Sequence, residues 1–170
     1  MRYLLFLALL CAGMIIAGCI SIPVEINATG GTGGGMQEPP EVIVNPFTAK
    51  EGLPNATTAM LALWNDAVLV SVYGNCENDG KAMEWQYSFD SLASKKGYTV
   101  AMPGDGMIRD KPFSFGVALG NQWIDSTDAV RACGKSGECS LEIREGTAVW
   151  TVVSGNDVCE VDASNGEVLG

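Results

Sequence analysis

The chain has 170 residues, of which 20 are acidic, 10 are basic and none is histidine. A net charge of −10 argues against nucleic acid as a partner, because binding to phosphates requires clustered cations. The absence of histidine excludes catalytic pairs that use an imidazole base and metal sites that use an imidazole ligand. The length and the apolar content are typical of one globular domain with additional segments.

The first 18 residues have the layout of a secretory signal peptide, because Arg2 is followed by an uncharged, mostly apolar run up to residue 18. The run ends in the sequence IAGC at residues 16–19, which resembles the lipobox of lipoproteins. In that motif small residues precede a cysteine that becomes lipidated. We therefore expect Cys19 to hold the chain by a lipid at the extracytoplasmic face of the cell membrane. The alternative is an uncleaved transmembrane anchor, because residues 3–24 carry no charge and are long enough to span a bilayer.

Residues 19–54 are expected to carry the lipid anchor and to form a tether. Five glycines between residues 30 and 35 are followed by four prolines up to Pro54, and this composition does not favour a stable helix or strand. Two glycosylation acceptor patterns begin at Asn27 and Asn55. They matter only if the source organism glycosylates its exported proteins.

The rest of the chain predicts a helix followed by three strands, and then the same order again. In the first unit, residues 55–110, Asn55 or Thr57 would cap the helix, and the β-branched run at residues 68–73 indicates the first strand. Residues 98–102 form the third strand. The second strand alternates apolar and polar residues from 83 to 90, which predicts one buried and one solvated sheet face. Its inward residues would be Met83, Trp85, Tyr87 and Phe89, and its outward residues Glu84, Gln86, Ser88 and Asp90.

The second unit is predicted to cover residues 124–170. Asp125 or Ser126 would cap a helix that ends before Gly134, and three further alternating strands follow. Residues 111–123 would connect the units, with a short strand near residues 113–115. The predicted fold class is therefore α+β, built from two αβββ repeats, each a helix packed on an antiparallel sheet.

The end of the second unit resembles the PepSY domain. A strand containing Trp150 is followed by the sequence VDASNGEVL at residues 161–169, and PepSY domains end in a similar way. The first unit, with Trp85 and Gly106 in corresponding places, is similar to a more divergent copy. The resemblance implies a small extracytoplasmic domain that binds or restrains an exported peptidase or another envelope partner. It implies no catalytic residue.

Four cysteines follow the tether: Cys76, Cys133, Cys139 and Cys159. An even number in an oxidising compartment favours two disulfides, and four cysteines allow three pairings. We expect Cys133 to pair with Cys139 across a short loop, which leaves Cys76 and Cys159 to join the two units. A thiolate metal site or a redox pair is not favoured, because no Cys-x-x-Cys spacing occurs and no histidine is available.

The remaining candidate groups are interpreted as structural. Glu77, Asp79 and the pair Asp105 and Asp110 suit solvated turns better than a calcium site, since no acidic calcium-binding loop is present. Acidic residues on the strands suit a solvated sheet face better than a glycosidase carboxylate pair. The strand aromatics are expected in the core, and would line a ligand groove only if the sheet is uncovered.

These observations together predict a membrane-anchored extracytoplasmic binding or regulatory module without enzymatic activity. No cofactor and no metal is expected, and the expected partners are the membrane and an envelope protein or peptidase. One alternative is a structural cell-surface lipoprotein without a specific ligand. The other is a hydrolase that depends on carboxylates.

Overall fold

The computed structural model describes residues 45–104 and 108–169. The predicted signal peptide, Cys19, Asn27 and the turn at Gly106 lie outside the described residues. Within the described ranges the chain forms two helices and one eight-stranded antiparallel sheet, so the α+β class is confirmed. In chain order the elements are α1 (Ala49–Leu61), β1 (Ala67–Cys76), β2 (Trp85–Ser91), β3 (Lys96–Met102), β4 (Ile108–Lys111), α2 (Ser126–Cys133), β5 (Gly137–Arg144), β6 (Thr147–Ser154), β7 (Asp157–Asp162) and β8 (Val168–Leu169).

The strands lie in the order β4-β3-β2-β1-β5-β6-β7-β8. Strands β1 and β5 pair at the centre, where Val72 lies opposite Leu141, so the strands that follow the two helices share one sheet. The expectation of a separate sheet for each helix is therefore wrong. The pairing is favourable because it satisfies the backbone groups that β1 and β5 would otherwise expose at sheet edges.

Helix α1 begins within the segment expected to be a tether, at Ala49. The backbone N–H of Glu51 donates to the Thr48 hydroxyl at 3.2 Å, and the backbone N–H of Thr48 donates to the Glu51 carboxylate at 2.7 Å. This reciprocal capping box satisfies two donors at the helix start. The predicted helix starts at Asn55 and Thr57 are therefore wrong, because both residues lie inside the helix.

Helix α2 has the predicted ends. The Asp125 side chain caps it by accepting from the Ser126 N–H at 2.8 Å, and Gly134 ends it with a φ of 63°. The same Asp125 oxygen accepts from the backbone N–H of Lys50 in the first turn of α1, at 3.1 Å. One carboxylate therefore serves the N-termini of both helices.

The core lies on the sheet face that the helices cover. Because cross-strand partners point to the same side of a sheet, the pairing register places one continuous apolar row across six strands. The row consists of Val100, Tyr87, Val72, Leu141, Trp150 and Val161. Helix α1 packs against β1, β2 and β3, and α2 packs against β6 and β7.

Two residues of the predicted second strand differ from the expected burial. Strand β2 begins only at Trp85, so Met83 lies in the preceding turn and is exposed. Asp90, expected on the solvated face, is buried. The short strand expected at residues 113–115 is also wrong, because that segment is irregular and the edge strand β4 precedes it.

All four cysteines form disulfides, but the predicted pairing is wrong. Cys76 pairs with Cys139, and Cys133 pairs with Cys159. The pairing of β1 with β5 brings Cys76 and Cys139 to a Cα separation of 5.9 Å. The packing of α2 on the sheet brings Cys133 equally close to Cys159. The bond pattern follows the sheet order, which spacing along the chain does not reveal.

Candidate binding surface

The aromatic residues expected in the core, Trp85, Tyr87, Phe89 and Trp150, are all buried and do not line a groove. Trp85 and Trp150 are fully buried and meet edge to face, with ring centroids 6.1 Å apart. The Tyr87 hydroxyl donates to the carbonyl of Ala49 at 2.7 Å, and burial raises the pKa of this phenol, with the charge of Asp125 adding to the effect. Tyr87 therefore stays protonated and holds the start of α1 on the sheet.

The opposite face of the sheet has no helix over it among the described residues. The pairing register places Ala101, Gln86, Tyr73, Ser140, Thr151 and Glu160 in one row on this helix-free face. Charged groups also lie here, and Arg144 forms ion pairs with both Glu142, at 2.7 Å, and Glu160. The face is therefore mixed in character rather than apolar, as the alternating strands predicted.

A groove crosses this face near the end of β1, with a volume of about 300 Å³. Two of its apolar side chains are well exposed, since Tyr73 has 42% and Met83 has 51% of its surface open to solvent. Polar groups surround them, and the Gln86 amide donates to the Glu84 carboxylate at 3.4 Å. The other lining residues are Gly74, Asn75, Cys76 and Glu77. An aromatic ring, a thioether and two carboxylates therefore share one concave surface.

Gly74 makes the floor of this groove possible. A Cβ at this position would lie 2.5 Å from the Trp85 ring, which is well inside van der Waals contact. The absent side chain lets Trp85 pack directly under β1, so the core and the groove share this strand. A larger residue would displace either the ring or the strand.

Asp90 has a structural role that the alternating pattern of its strand did not predict. Only 1% of its surface is exposed, and its carboxylate accepts from the Ser114 hydroxyl at 2.7 Å and from the N–H groups of Ser114 and Gly116 at 3.2 Å each. These bonds fix residues 112–118, here called the crossing loop, on the helix-free face beside β1 and β2. The loop and the groove lie at opposite ends of β1.

The acidic residues considered for a calcium site do not cluster within the described part of the chain. Glu77 and Asp79 are exposed in the turn after β1, and Asp79 accepts from the N–H of Lys81 at 3.0 Å. Asp110 lies on the edge strand β4, and Asp105 falls outside the described residues. No group of three cysteine or carboxylate side chains within the described ranges is arranged to hold a metal ion.

Two turn carboxylates have pKa values below the ordinary 3.8. The Ala93 N–H at 2.7 Å and the Ser91 hydroxyl at 2.9 Å donate to Asp66 and lower its pKa. The hydroxyl and N–H of Ser164 lower the pKa of Asp162 in the same way. A lowered pKa keeps each carboxylate ionised, so that it accepts hydrogen bonds within its turn. A general acid requires the opposite shift, a raised pKa.

The PepSY-like sequence at residues 161–169 forms a turn between β7 and β8. The N–H of Gly166 donates to the Asp162 carbonyl at 2.8 Å, and Gly166 has a φ of 83°, which favours glycine. The N–H of Asp162 donates to the Glu167 carbonyl at 2.8 Å and closes the hairpin. The aspartate and the glycine of the motif therefore have structural roles in this chain.

The remaining predicted site residues do not come together. Asn55 is exposed on α1, far along the chain from Asn27 and Cys19, which fall outside the described residues. The four cysteines are buried or half-buried in their disulfides. No helix in residues 45–104 and 108–169 has the length and apolar character needed to cross a membrane.

Two features of the surface were missed from the sequence. Met83 and Tyr73 line the same groove because the turn after β1 returns the chain beside that strand, and strand periodicity does not indicate such an arrangement. Asp90 is buried because a segment distant in the chain covers it. Alternation along a strand carries no signal for this burial, because Ser114, which bonds Asp90, lies 24 residues further along the chain.

No model of a protein family matches the chain. No curated protein matches it either. Among solved structures, it is similar to the crystal structure of a "putative lipoprotein (CD1622)" from Clostridium difficile 630, with 12% sequence identity and a TM-score of 0.49. The match covers 70% of this chain and 90% of that chain. A similarity of this extent does not establish a shared function, so the PepSY resemblance stays a prediction.

Proposed function

We propose that this chain is an extracytoplasmic, membrane-anchored binding module of PepSY-like architecture, without a catalytic site or cofactor of its own. The observation that carries the proposal is the groove on the helix-free face. Tyr73 and Met83 are exposed there, and exposed apolar side chains within a concave, otherwise polar surface mark interaction sites.

The two disulfides support the extracytoplasmic location independently of the N-terminal sequence. Disulfides persist in oxidising compartments and are rare in reducing ones. The predicted lipidation at Cys19 would then attach the domain to the membrane through the tether. The predicted partners are the membrane itself and an envelope protein, with an exported peptidase as the partner that the PepSY resemblance implies.

An equivalence of the two tryptophans supports an origin in two divergent copies. The Trp85 indole donates to the carbonyl of Phe47 at 2.8 Å, and the Trp150 indole donates to the carbonyl of Ile124 at 2.9 Å. Each acceptor directly precedes the residue that caps a helix. Each helix is followed by four strands, and the sheet order is mirrored about the pair formed by β1 and β5.

The test is affinity capture from the native envelope with groove variants. The full chain is expected to retain an exported peptidase, and the double variant Tyr73→Ser with Met83→Ser is expected to lose it. Val158→Ser is the matched control, since Val158 is at least as exposed as either residue but lies outside the groove.

The readout is the amount of each co-purified protein, measured by quantitative mass spectrometry. A peptidase retained equally by all three forms would place its binding site elsewhere. If the captured proteins include no peptidase but are still lost in the groove variant, the chain is a binding module whose partner is not a peptidase.

A further inference from the structure

The groove on the helix-free face carries negative charge. Its charged lining residues are Glu77 and Glu84, and no lysine or arginine of the described residues lines it. Both carboxylates belong to exposed residues, and neither forms an ion pair with a basic side chain of the described ranges. Their charge is therefore available to a bound partner.

The immediate surroundings of the groove do not neutralise this charge. The register places Glu138 opposite Asn75 on the same face, and the turn after β1 adds Asp79. The adjoining turns carry two cations, Lys81 after β1 and Lys135 before β5. Neither lysine forms an ion pair within the described ranges. With the two lining carboxylates, the acids at the groove therefore outnumber the cations.

On the rest of the helix-free face the charges are balanced, apart from Asp90, which is buried beneath the crossing loop. The register assigns equal numbers of both signs to the remaining strand positions of this face: Arg109, Lys111 and Arg144 against Glu142, Glu160 and Asp162. Arg144 pairs directly with two of these carboxylates. The excess of negative charge on this face is therefore located at the groove.

Tyr73, Gln86 and Glu84 form a contiguous site for a planar cation. Tyr73 lies opposite Gln86 in the register, which puts their Cβ atoms about 5 Å apart. The Gln86 amide nitrogen donates to the Glu84 carboxylate at 3.4 Å, and the Gln86 carbonyl oxygen remains as a further acceptor. A guanidinium group stacks on an aromatic face and donates to carboxylates through a planar fork, so arginine fits this site better than lysine does.

Neither the tether nor a second copy of the chain supplies such a cation well. Residues 19–44 contain three carboxylates, at Glu25, Glu38 and Glu41, and no basic residue. A second copy would bring a further net charge of −10 to an acidic surface. Charge complementarity therefore favours a different protein as the occupant of the groove.

We propose that the groove binds an extended segment of a partner protein through an arginine side chain. The guanidinium stacks on Tyr73 and pairs with Glu84, and Glu77 adds a second negative charge. An apolar side chain two residues from the arginine points to the same side of the extended segment and contacts Met83. The inference rests on the binding module of the proposed function, and it adds the chemistry of the segment that the module recognises.

The experiment measures the binding of three fluorescent heptapeptides to the full chain by fluorescence anisotropy. The first peptide has the sequence GLARALG, in which the arginine and both leucines point to the same side of an extended chain. The second peptide replaces the arginine with lysine. The third replaces it with citrulline, which has nearly the same shape as arginine but carries no charge.

The arginine peptide is expected to bind most tightly. Glu77→Gln with Glu84→Gln should weaken its binding on the order of tenfold, because each exposed ion pair contributes a factor of about three. The same variant should leave the citrulline peptide unaffected. Tyr73→Leu should weaken the binding of the arginine peptide about threefold, whereas Tyr73→Phe, which keeps the face of the ring, should not.

Glu145→Gln with Glu167→Gln is the matched control. Both residues are exposed and lie outside the groove, so the chain loses the same charge while the site is unaltered. This variant should retain the affinity of the unaltered chain for the arginine peptide. An equal loss of affinity in the two double variants would overturn the inference, because the peptide would then respond only to the net charge of the chain.

The affinity capture with Tyr73→Ser and Met83→Ser separates this inference from the proposed function. If envelope proteins are captured through the groove but the arginine peptide binds no better than the citrulline peptide, the binding module stands and the arginine recognition is rejected. If no captured protein depends on the groove and no peptide binds, both the module and the arginine recognition are rejected.

Discussion

At the scale of single residues, Asp90 shows how a buried carboxylate can organise a surface. Its three hydrogen bonds to Ser114 and Gly116 fix the crossing loop, and no basic side chain of the described residues pairs with it. A buried charge is tolerated only when hydrogen bonds replace its hydration. The loop therefore stabilises the charge of Asp90 as much as Asp90 stabilises the loop.

Asp90→Ala is expected to lower the free energy of unfolding by roughly 1–3 kcal/mol, because it removes the acceptor of all three bonds. It should also increase proteolytic cleavage within residues 112–118. Denaturant unfolding and limited proteolysis with mass spectrometry measure the two effects. Ser114→Ala removes only the hydroxyl bond and should have a smaller effect. Equal protease resistance in Asp90→Ala and the unaltered chain would contradict this role.

Thr151 is the opposite case, a buried polar group whose removal should stabilise the domain. Only 6% of its surface is exposed, and its hydroxyl has no hydrogen-bond partner within the described residues. Thr151→Val keeps the shape and the β-branching that a central strand favours, and it is expected to raise the free energy of unfolding by about 1 kcal/mol. Chemical denaturation measures the change. Val149→Thr, on the same face of β6, is the reverse control and should destabilise the domain.

At the scale of elements, the strands were largely predictable and the start of α1 was not. The alternation of Trp85, Tyr87 and Phe89 with polar residues follows from the two-residue period of a strand, and the structure retains it.

Helix α1 contains an internal proline, a residue that usually ends or kinks a helix. Pro54 lies inside it on an exposed turn, where water can bond the carbonyl that lacks its helical donor. The capping box at Thr48 and Glu51 was readable in the sequence, but the glycines and prolines around it indicated a tether.

Replacement of this proline is therefore expected to stabilise the helix. Pro54→Ala restores the backbone donor to the carbonyl of Lys50 and should raise the free energy of unfolding by about 2 kcal/mol. The gain is smaller than the full helix propensity difference, because proline also restricts the unfolded chain. Thermal unfolding followed by circular dichroism measures the shift. Asn55→Ala, at the next exposed position of α1, should give only a few tenths of a kcal/mol, and a larger effect there than at Pro54 would contradict the assignment.

At the scale of the whole molecule, the sheet order depends on contacts between residues far apart in sequence. Local patterns predicted helices and strands but did not indicate that β1 and β5 pair. The alternation of a strand is the same whichever strand lies beside it. The groove is more local in origin, since its lining residues all lie between Tyr73 and Gln86, on β1, the turn after it and the start of β2. The disulfide pattern depends on the pairing of β1 with β5. Cysteines close in sequence, such as Cys133 and Cys139, point to different partners once the sheet is assembled.

The disulfide pairing is the most direct test of that arrangement. Peptide mapping without reduction is expected to recover one cross-linked peptide with Cys76 and Cys139 and another with Cys133 and Cys159. A peptide that joins Cys133 to Cys139 would contradict the pairing of α2 with β7 and of β1 with β5.

The two bonds are also expected to differ in their contribution to stability. On the chain-entropy view, the bond that spans 63 residues should contribute about 4 kcal/mol and the bond that spans 26 residues about 3.5 kcal/mol. Loss of the first bond should exceed loss of the second by more than this difference, because Cys139 is fully buried and its replacement leaves a cavity in the core, whereas Cys133 is only half-buried. Denaturant unfolding of Cys76→Ala with Cys139→Ala, compared with Cys133→Ala with Cys159→Ala, measures both contributions. The larger loss in the second pair would mean that the attachment of α2, rather than the pairing of β1 with β5, limits the stability of the domain.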